Sequence, residues 1–285
     1  MASLSNQTET KLNRLLEWCR DKACVVAFSG GVDSSVLANA LKVAYERSLL
    51  RIQPVCYFAE SFTSTELEKS QARCVATEIG LPLVVLESGE FDDPRFVANS
   101  SKRCYWCKKI RFSAIRDIAQ KVYGDPNGEN IVVVDGSNYS DADDYRPGVK
   151  AAVEVGVKSP LAEVGLIKSE IREIARFWNI SVAEKPSTPC LATRLAYNMP
   201  LSNEILRLVE KAELAVKSFG VSTCRARIDA PKTVRIELPE NEIELFLSSE
   251  KRKRMVSLLR ELGFNFISLD LEGFRSGKNN RALDE

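Results

Sequence analysis

The sequence predicts an α/β fold: a doubly wound parallel sheet in the first two-thirds, then a smaller C-terminal α+β domain. Three observations predict it. Short β-branched runs alternate with helical patterns, an order that calls for crossover connections between parallel strands. The first run ends in a glycine turn that opens a helix, at the strand end where such sheets bind ligands. A proline-punctuated stretch, "EKPSTPC" at 184–190, then separates this region from one with a different element order.

The opening "MASLSNQTETKLNRLLEWCRDK" is too polar for a signal peptide and reads as a lead-in and an amphipathic helix. Residues 24–28 read as a strand, 34–45 as a helix, 52–58 as a strand and 65–79 as a helix. A strand at 83–86, a long helix at 104–123, the strand of "NIVVVDGS" at 130–137 and a helix at 168–178 follow. Beyond the proline stretch the order changes to a helix at 203–219, strands at 223–228 and 233–238, helices within 240–262 and a strand at 266–271. This gives two expected domains, 1–185 and 186–285, and a polar, frayed tail, "RSGKNNRALDE". Internal repeats and low-complexity tracts are absent.

Composition narrows the chemistry. With 40 Lys and Arg against 39 Asp and Glu, the net charge of +1 gives no electrostatic reason for general nucleic-acid binding. No apolar run approaches the ~20 residues that span a bilayer, so the expected setting is cytoplasmic, without a membrane partner. The 285 residues contain no histidine and eight cysteines. Any soft-metal or sulfur chemistry therefore falls to thiolates, which in a cytosolic chain are core residues, metal ligands or reactive thiols rather than disulfides.

In "CVVAFSGGVDSSV" (24–36) a strand runs into Ser29, Gly30 and Gly31, and Asp33, Ser34 and Ser35 stand at a helix start. Glycines let backbone N–H groups approach an anion, and the helix N-terminus adds partial positive charge. A tight turn with a serine cap is the plainer alternative. The loop lacks the Gly-Lys-Ser/Thr of a Walker A motif and is not G-x-G-x-x-G. SGGVDSS resembles the pyrophosphate loop of the PP-loop ATP pyrophosphatases, which share an adenine-nucleotide α-hydrolase-like fold. The resemblance implies that ATP is cleaved between its α and β phosphates, that a substrate oxygen is adenylylated, and that Mg²⁺ neutralises the leaving pyrophosphate.

Cys104 and Cys107 in "SKRCYWCKK" lie three residues apart at a helix start, among Lys102, Arg103, Lys108 and Lys109, which favour thiolate. Cys190 lies in "PSTPCLATRLAY". Three such cysteines without histidine suit an iron–sulfur cluster with one iron open to an external ligand. Zinc with a fourth cysteine is the other metal, and a chance pair with a core cysteine is the plain alternative. Cys19, Cys24, Cys56 and Cys74 sit in apolar patterns and read as core, while Cys224 stays open.

"PSTPCLATR", "DGSNYSDADDYRPG" (135–148), "SPL" (159–161) and "CRARIDAPKTVRIEL" (224–238) are together similar to the LarE family, sulfur transferases of nickel-pincer nucleotide synthesis. The resemblance covers nearly the whole chain. It implies adenylylation of a carboxylate on a pyridinium mononucleotide (of the pyridinium-3,5-biscarboxylate type), then replacement of AMP by sulfur. In one branch the cysteine at the Cys190 position surrenders its own sulfur and becomes dehydroalanine. In the other, three cysteines hold a [4Fe–4S] cluster that carries a hydrosulfide. Cysteines at all three positions, Cys104, Cys107 and Cys190, imply the second branch, with a sulfide donor. The resemblance also implies a homo-hexamer.

A doubly negative nucleotide needs cations. Arg225 and Arg227 alternate on an expected strand and share a face, and arginine forks suit phosphate. Arg194 follows Cys190 closely enough to join them. Glu213 and Glu237 take places where the resemblance puts acidic residues near the site. A solvated strand face is the alternative for each arginine. Asp135, Asn138, Asp141, Asp143 and Asp144 follow a strand at the ligand edge, to hold Mg²⁺ or Arg146 or simply to form a solvated loop. Trp106 is a packing residue or a substrate platform. The competing functions are a tRNA thiolase with a C-x-x-C and a third cysteine, an amide-forming ligase of the GMP or NAD synthetase type, and a non-catalytic ATP-binding module.

Overall fold

The computed structural model describes residues 3–125, 127, 130–143, 147–186, 188–247 and 249–275. The chain forms two compact units, Met1–Asp92 with Cys104–Thr188, and Asp93–Arg103 with Pro189–Glu285.

The first unit is an α/β fold on a parallel sheet. β1 (Ala23–Ala27), β2 (Val55–Glu60), β3 (Leu83–Glu87) and β4 (Ile131–Asp135) lie in the order β3-β2-β1-β4, every pair parallel. β1 is ACVVA, an unbroken apolar run, as expected where both faces of a strand are covered. Cys24 and Val26 pack on one face with α1 (Asn6–Trp18), α2 (Val32–Glu46), α3 (Glu66–Ile79) and α8 (Lys168–Phe177). Val25 and Val133 pack on the other face against α5 (Arg103–Tyr123) and α6 (Pro147–Val155). The sheet is therefore doubly wound. Burying a single valine or leucine side chain here contributes about 1.5–3 kcal/mol, and β1 has Cys24, Val25 and Val26 wholly enclosed.

The strands step outward from β1 to β3, and the chain then returns to set β4 on the opposite side of β1. This reversal opens a crevice at the carboxyl ends of β1 and β4, the general ligand position in such sheets. Two glycines let the segments there close up. Gly30 has φ +70°, and a Cβ on it would lie 2.6 Å from the Cα of Ala72 in α3. A Cβ on Gly136, just past β4, would lie 2.7 Å from the Ser34 nitrogen in α2.

The second unit carries β5 (Arg225–Ala230), β6 (Thr233–Glu237) and β7 (Phe266–Leu269) in the order β5-β6-β7, with β5 antiparallel and β7 parallel to β6. Its helices are α9 (Asn203–Lys217), α10 (Glu240–Leu247) and α11 (Ser249–Glu261). It also takes in the excursion 93–103, with α4 (Pro94–Val97). Asn99 O and Val97 O accept from Asn198 N at 3.0 Å and Leu201 N at 2.8 Å, and Asn99 Nδ2 donates to Ala196 O at 2.9 Å. A linear reading of the sequence shows no such excursion.

The expected elements stand at their expected places with ends displaced by no more than three residues. The sequence pattern does not mark three short helices: α4, α6 and α7 (Pro160–Glu163), each opening on a proline that is pre-set for a first helical turn. The tail from 276 onward lies outside the described residues.

Candidate active site

Ser29, Gly30 and Gly31 form the turn between β1 and α2, with Gly31 as N-cap of α2. The loop is braced from within. Ser35 Oγ donates to Gly31 O at 2.8 Å, Ser34 Oγ to the same oxygen at 3.1 Å, and Gly31 N to Ser29 Oγ at 3.4 Å. Ser34 and Ser35 are buried, so they shape the loop, while Ser29, Gly31 and Asp33 line a cavity of about 200 Å³.

The cavity has a cationic side that sequence reading missed. Lys168 and Lys185 line it, with Glu68. Lys168 Nζ pairs with Asp33 Oδ2, and Asn138 Nδ2 donates to Asp33 Oδ1 at 3.3 Å. Lys168 is the first residue of α8, where a cation opposes the helix dipole and needs an anion nearby. That mismatch was the available signal. Lys185 Nζ donates to Gln71 Oε1, and burial pushes its pKa below the ordinary lysine value, an effect the Glu68 charge partly offsets. Arg172, one turn after Lys168, donates to the carbonyls of Ala183 and Lys185, the latter at 2.8 Å. α8 thus supplies one cation and holds the backbone of the other. Glu68 Oε2 accepts from Thr65 N at 2.9 Å in the capping box of α3.

At the end of β4 the acidic residues order the loop. Asp135 is buried and accepts from Ser137 Oγ and Ser159 Oγ, both at 2.7 Å, with Lys108 Nζ at 3.6 Å. Asp141 Oδ2 accepts from Asn138 N at 3.1 Å. Asp144, Arg146 and the side chain of Asp143 lie outside the described residues.

The cysteines divide into two kinds. Cys19, Cys24, Cys56 and Cys224 are buried, and burial pushes each thiol up to about 12. Cys74 is exposed, not core as its apolar pattern suggested: it points outward from α3, whose inward face is Ala72, Val75, Ala76 and Ile79. Cys104 is exposed and Cys107 half-buried, one turn apart on α5 in the first unit; Cys190 is half-buried in the second. These three thiols lie outside the buried core. Among the described residues, no three Cys, Asp or Glu side chains form a group that could hold a metal ion.

In the second unit, Arg194, Arg225, Arg227, Glu213 and Glu237 are all buried, so the solvated-face alternative fails for these arginines. Arg194 Nε meets Glu213 Oε1 at 2.8 Å, and Arg227 Nη2 meets Glu237 Oε2 at 2.9 Å. Arg225 donates to Cys224 O at 2.8 Å and lies over the Phe274 ring at 4.8 Å. Burial, then the charge of Arg194, holds the pKa of Arg225 below the usual guanidinium range. Arg227 Nε is buried without a hydrogen-bond partner among the described residues. Arg194 and Arg227 are thus paired with carboxylates, while Arg225 meets a carbonyl and a ring, a setting in which an incoming anion would be favoured.

No protein-family model matches the chain. It is 35% identical over 276 residues to an uncharacterized protein of Synechocystis sp., covering 96% of this chain and 98% of the relative. It is 33% identical over 284 residues to the pyridinium-3,5-bisthiocarboxylic acid mononucleotide synthase of Lactiplantibacillus plantarum, covering 99% of this chain and 97% of that enzyme. A weaker likeness, 26% over 218 residues, covers 71% of this chain and 68% of one chain of the glutamine-hydrolyzing GMP synthase of Archaeoglobus fulgidus.

Proposed function

The chain is an enzyme of the family of pyridinium-3,5-bisthiocarboxylic acid mononucleotide synthases, the LarE family, and on that premise we propose that it converts a pyridinium mononucleotide carboxylate to a thiocarboxylate at the expense of ATP. The observation that carries the ATP half is the cavity at the carboxyl end of β1, where Ser29, Gly31 and Asp33 face Lys168. A carboxylate oxygen attacks the α-phosphorus, the bond to the β-phosphate oxygen breaks, and pyrophosphate departs among the N–H groups of the α2 terminus and Lys168. Asp33 would hold Mg²⁺, which would offset the charge of the leaving group. A sulfide then attacks the acyl carbon and AMP leaves.

Arg194, Arg225 and Arg227 hold the nucleotide's phosphate and second carboxylate, with Glu213 and Glu237 fixing Arg194 and Arg227. Cys104, Cys107 and Cys190 would hold a [4Fe–4S] cluster, a group that supplies a binding place for inorganic sulfide; their exposure and the lack of histidine fit that donor set. Among the described residues no helix is long and apolar enough to cross a membrane. A reducing cytoplasm suits so cysteine-rich a chain, and the enzyme works as a homo-oligomer, a hexamer by family likeness.

The test separates the two halves. Asp33→Asn should abolish pyrophosphate release, whereas Cys190→Ala should spare it and abolish thiocarboxylate formation. Thiocarboxylate made by Cys190→Ala overturns the sulfur route. After anaerobic purification, about four iron and four sulfide per chain are expected, lost in Cys104→Ala. Neither element after reconstitution overturns the cluster and leaves Cys190 as the sulfur source.

A further inference from the structure

We propose that Lys185 is a phosphate ligand of the ATP cavity, the cation that stands ready for the leaving pyrophosphate. The proposal rests on the ATP reading and deepens it. The two lysines of the cavity differ in their resting partners. Lys168 is already neutralised by the Asp33 carboxylate. Lys185 meets the neutral amide of Gln71. Glu68, the cavity's carboxylate on α3, is engaged by the Thr65 backbone N–H and hydroxyl at 2.9 and 3.0 Å.

An ammonium that is partly desolvated, hydrogen-bonded to an amide and only partly offset by the Glu68 charge gains from an anion. It is also pre-positioned. Arg172 grips the carbonyls on either side of Glu184, so the backbone under Lys185 is clamped. Exchange of Gln71 for a phosphate oxygen needs only a rotation of the lysine stem. Lys168, by contrast, must first leave Asp33. The same exchange that frees Asp33 for a cation is therefore easier once Lys185 has drawn the phosphates in.

The probe is inorganic pyrophosphate, titrated by calorimetry against the full chain, with thermal unfolding as a fold control. Lys185→Met is expected to weaken pyrophosphate binding about tenfold to a hundredfold, the scale of one charge-assisted hydrogen bond. Lys185→Arg should retain most of the affinity. Gln71→Ala, which removes only the resting partner, should bind at least as tightly as the native chain. Where Lys185→Met folds poorly, Lys185→Gln takes its place. Native affinity in Lys185→Met or Lys185→Gln overturns the proposal while leaving ATP use intact, as does an equal loss in Gln71→Ala, which would mean that the contact merely holds the fold. If the native chain neither binds pyrophosphate nor releases it from ATP, the ATP reading and this proposal fall together.

Discussion

At the scale of single residues, the site depends on a missing atom and a few buried charges. Gly30→Ala meets two penalties, a left-handed φ of +70° and a Cβ 2.6 Å from the Ala72 Cα, together about 2–5 kcal/mol. Ala72→Gly in that background removes only the 2.9 Å contact with the Ala72 Cβ and leaves the backbone clash and the conformational part, so thermal unfolding of the double variant should show little recovery. Glu237 is fully buried between Arg227 and Arg235 at 2.9 and 3.0 Å. Glu237→Gln takes the carboxylate from the buried Arg227, while Arg235 keeps Asp229 and Asp270, and should cost on the order of 3–5 kcal/mol; a denaturant midpoint unchanged from native would refute it. The loop and the arginines were legible as residue types because glycine and arginine have few substitutes in such roles. Lys168 and Lys185 were not, because a lysine beside a helix start or a proline is commonplace until the cavity brings it opposite Asp33.

At the scale of elements, α8 does two things with one turn. Its apolar face, Ile171, Ile174 and Ala175, is buried where α8 packs on α2 and α1, while Lys168 and Arg172 serve the cavity. Arg172→Met should therefore loosen the stretch under Lys185 without unpacking the helix. A severalfold weaker pyrophosphate affinity with near-native thermal stability is expected, and a large loss of stability would show that the two faces are not separable. The sequence marked the long elements well because apolar periodicity repeats over several turns in α2, α3, α5 and α9. Short helices such as α7 carry one turn of pattern, too little to stand above the loops around them. Cys74 shows the converse error: an apolar neighbourhood does not say which way one helical residue points.

At the scale of the whole molecule, four buried thiols tie stability to pH. Each is pushed from the ordinary 9.0 to about 12, so the unfolded chain loses these protons first. A group whose pKa is raised by folding contributes stability that is intact below its unfolded value and is lost as pH climbs toward its folded value. Between pH 9 and 12 the four together should remove up to about 5 kcal/mol per pH unit. Melting temperatures followed upward from pH 8 should fall accordingly, and Cys56→Ala should show a shallower fall; a flat profile would contradict the buried-thiol assignment.

The excursion 93–103 has a consequence for how the chain is made. Asn99 and Arg103 are buried polar residues whose partners include the carbonyls of Ala196 and Ala192. On a ribosome those partners emerge some ninety residues later, a wait of roughly 5–20 s at about 5–20 residues per second. The first unit can be assembled around a strip of chain that is not yet at home. The second unit cannot close until its own first piece, synthesised long before, is handed back to it.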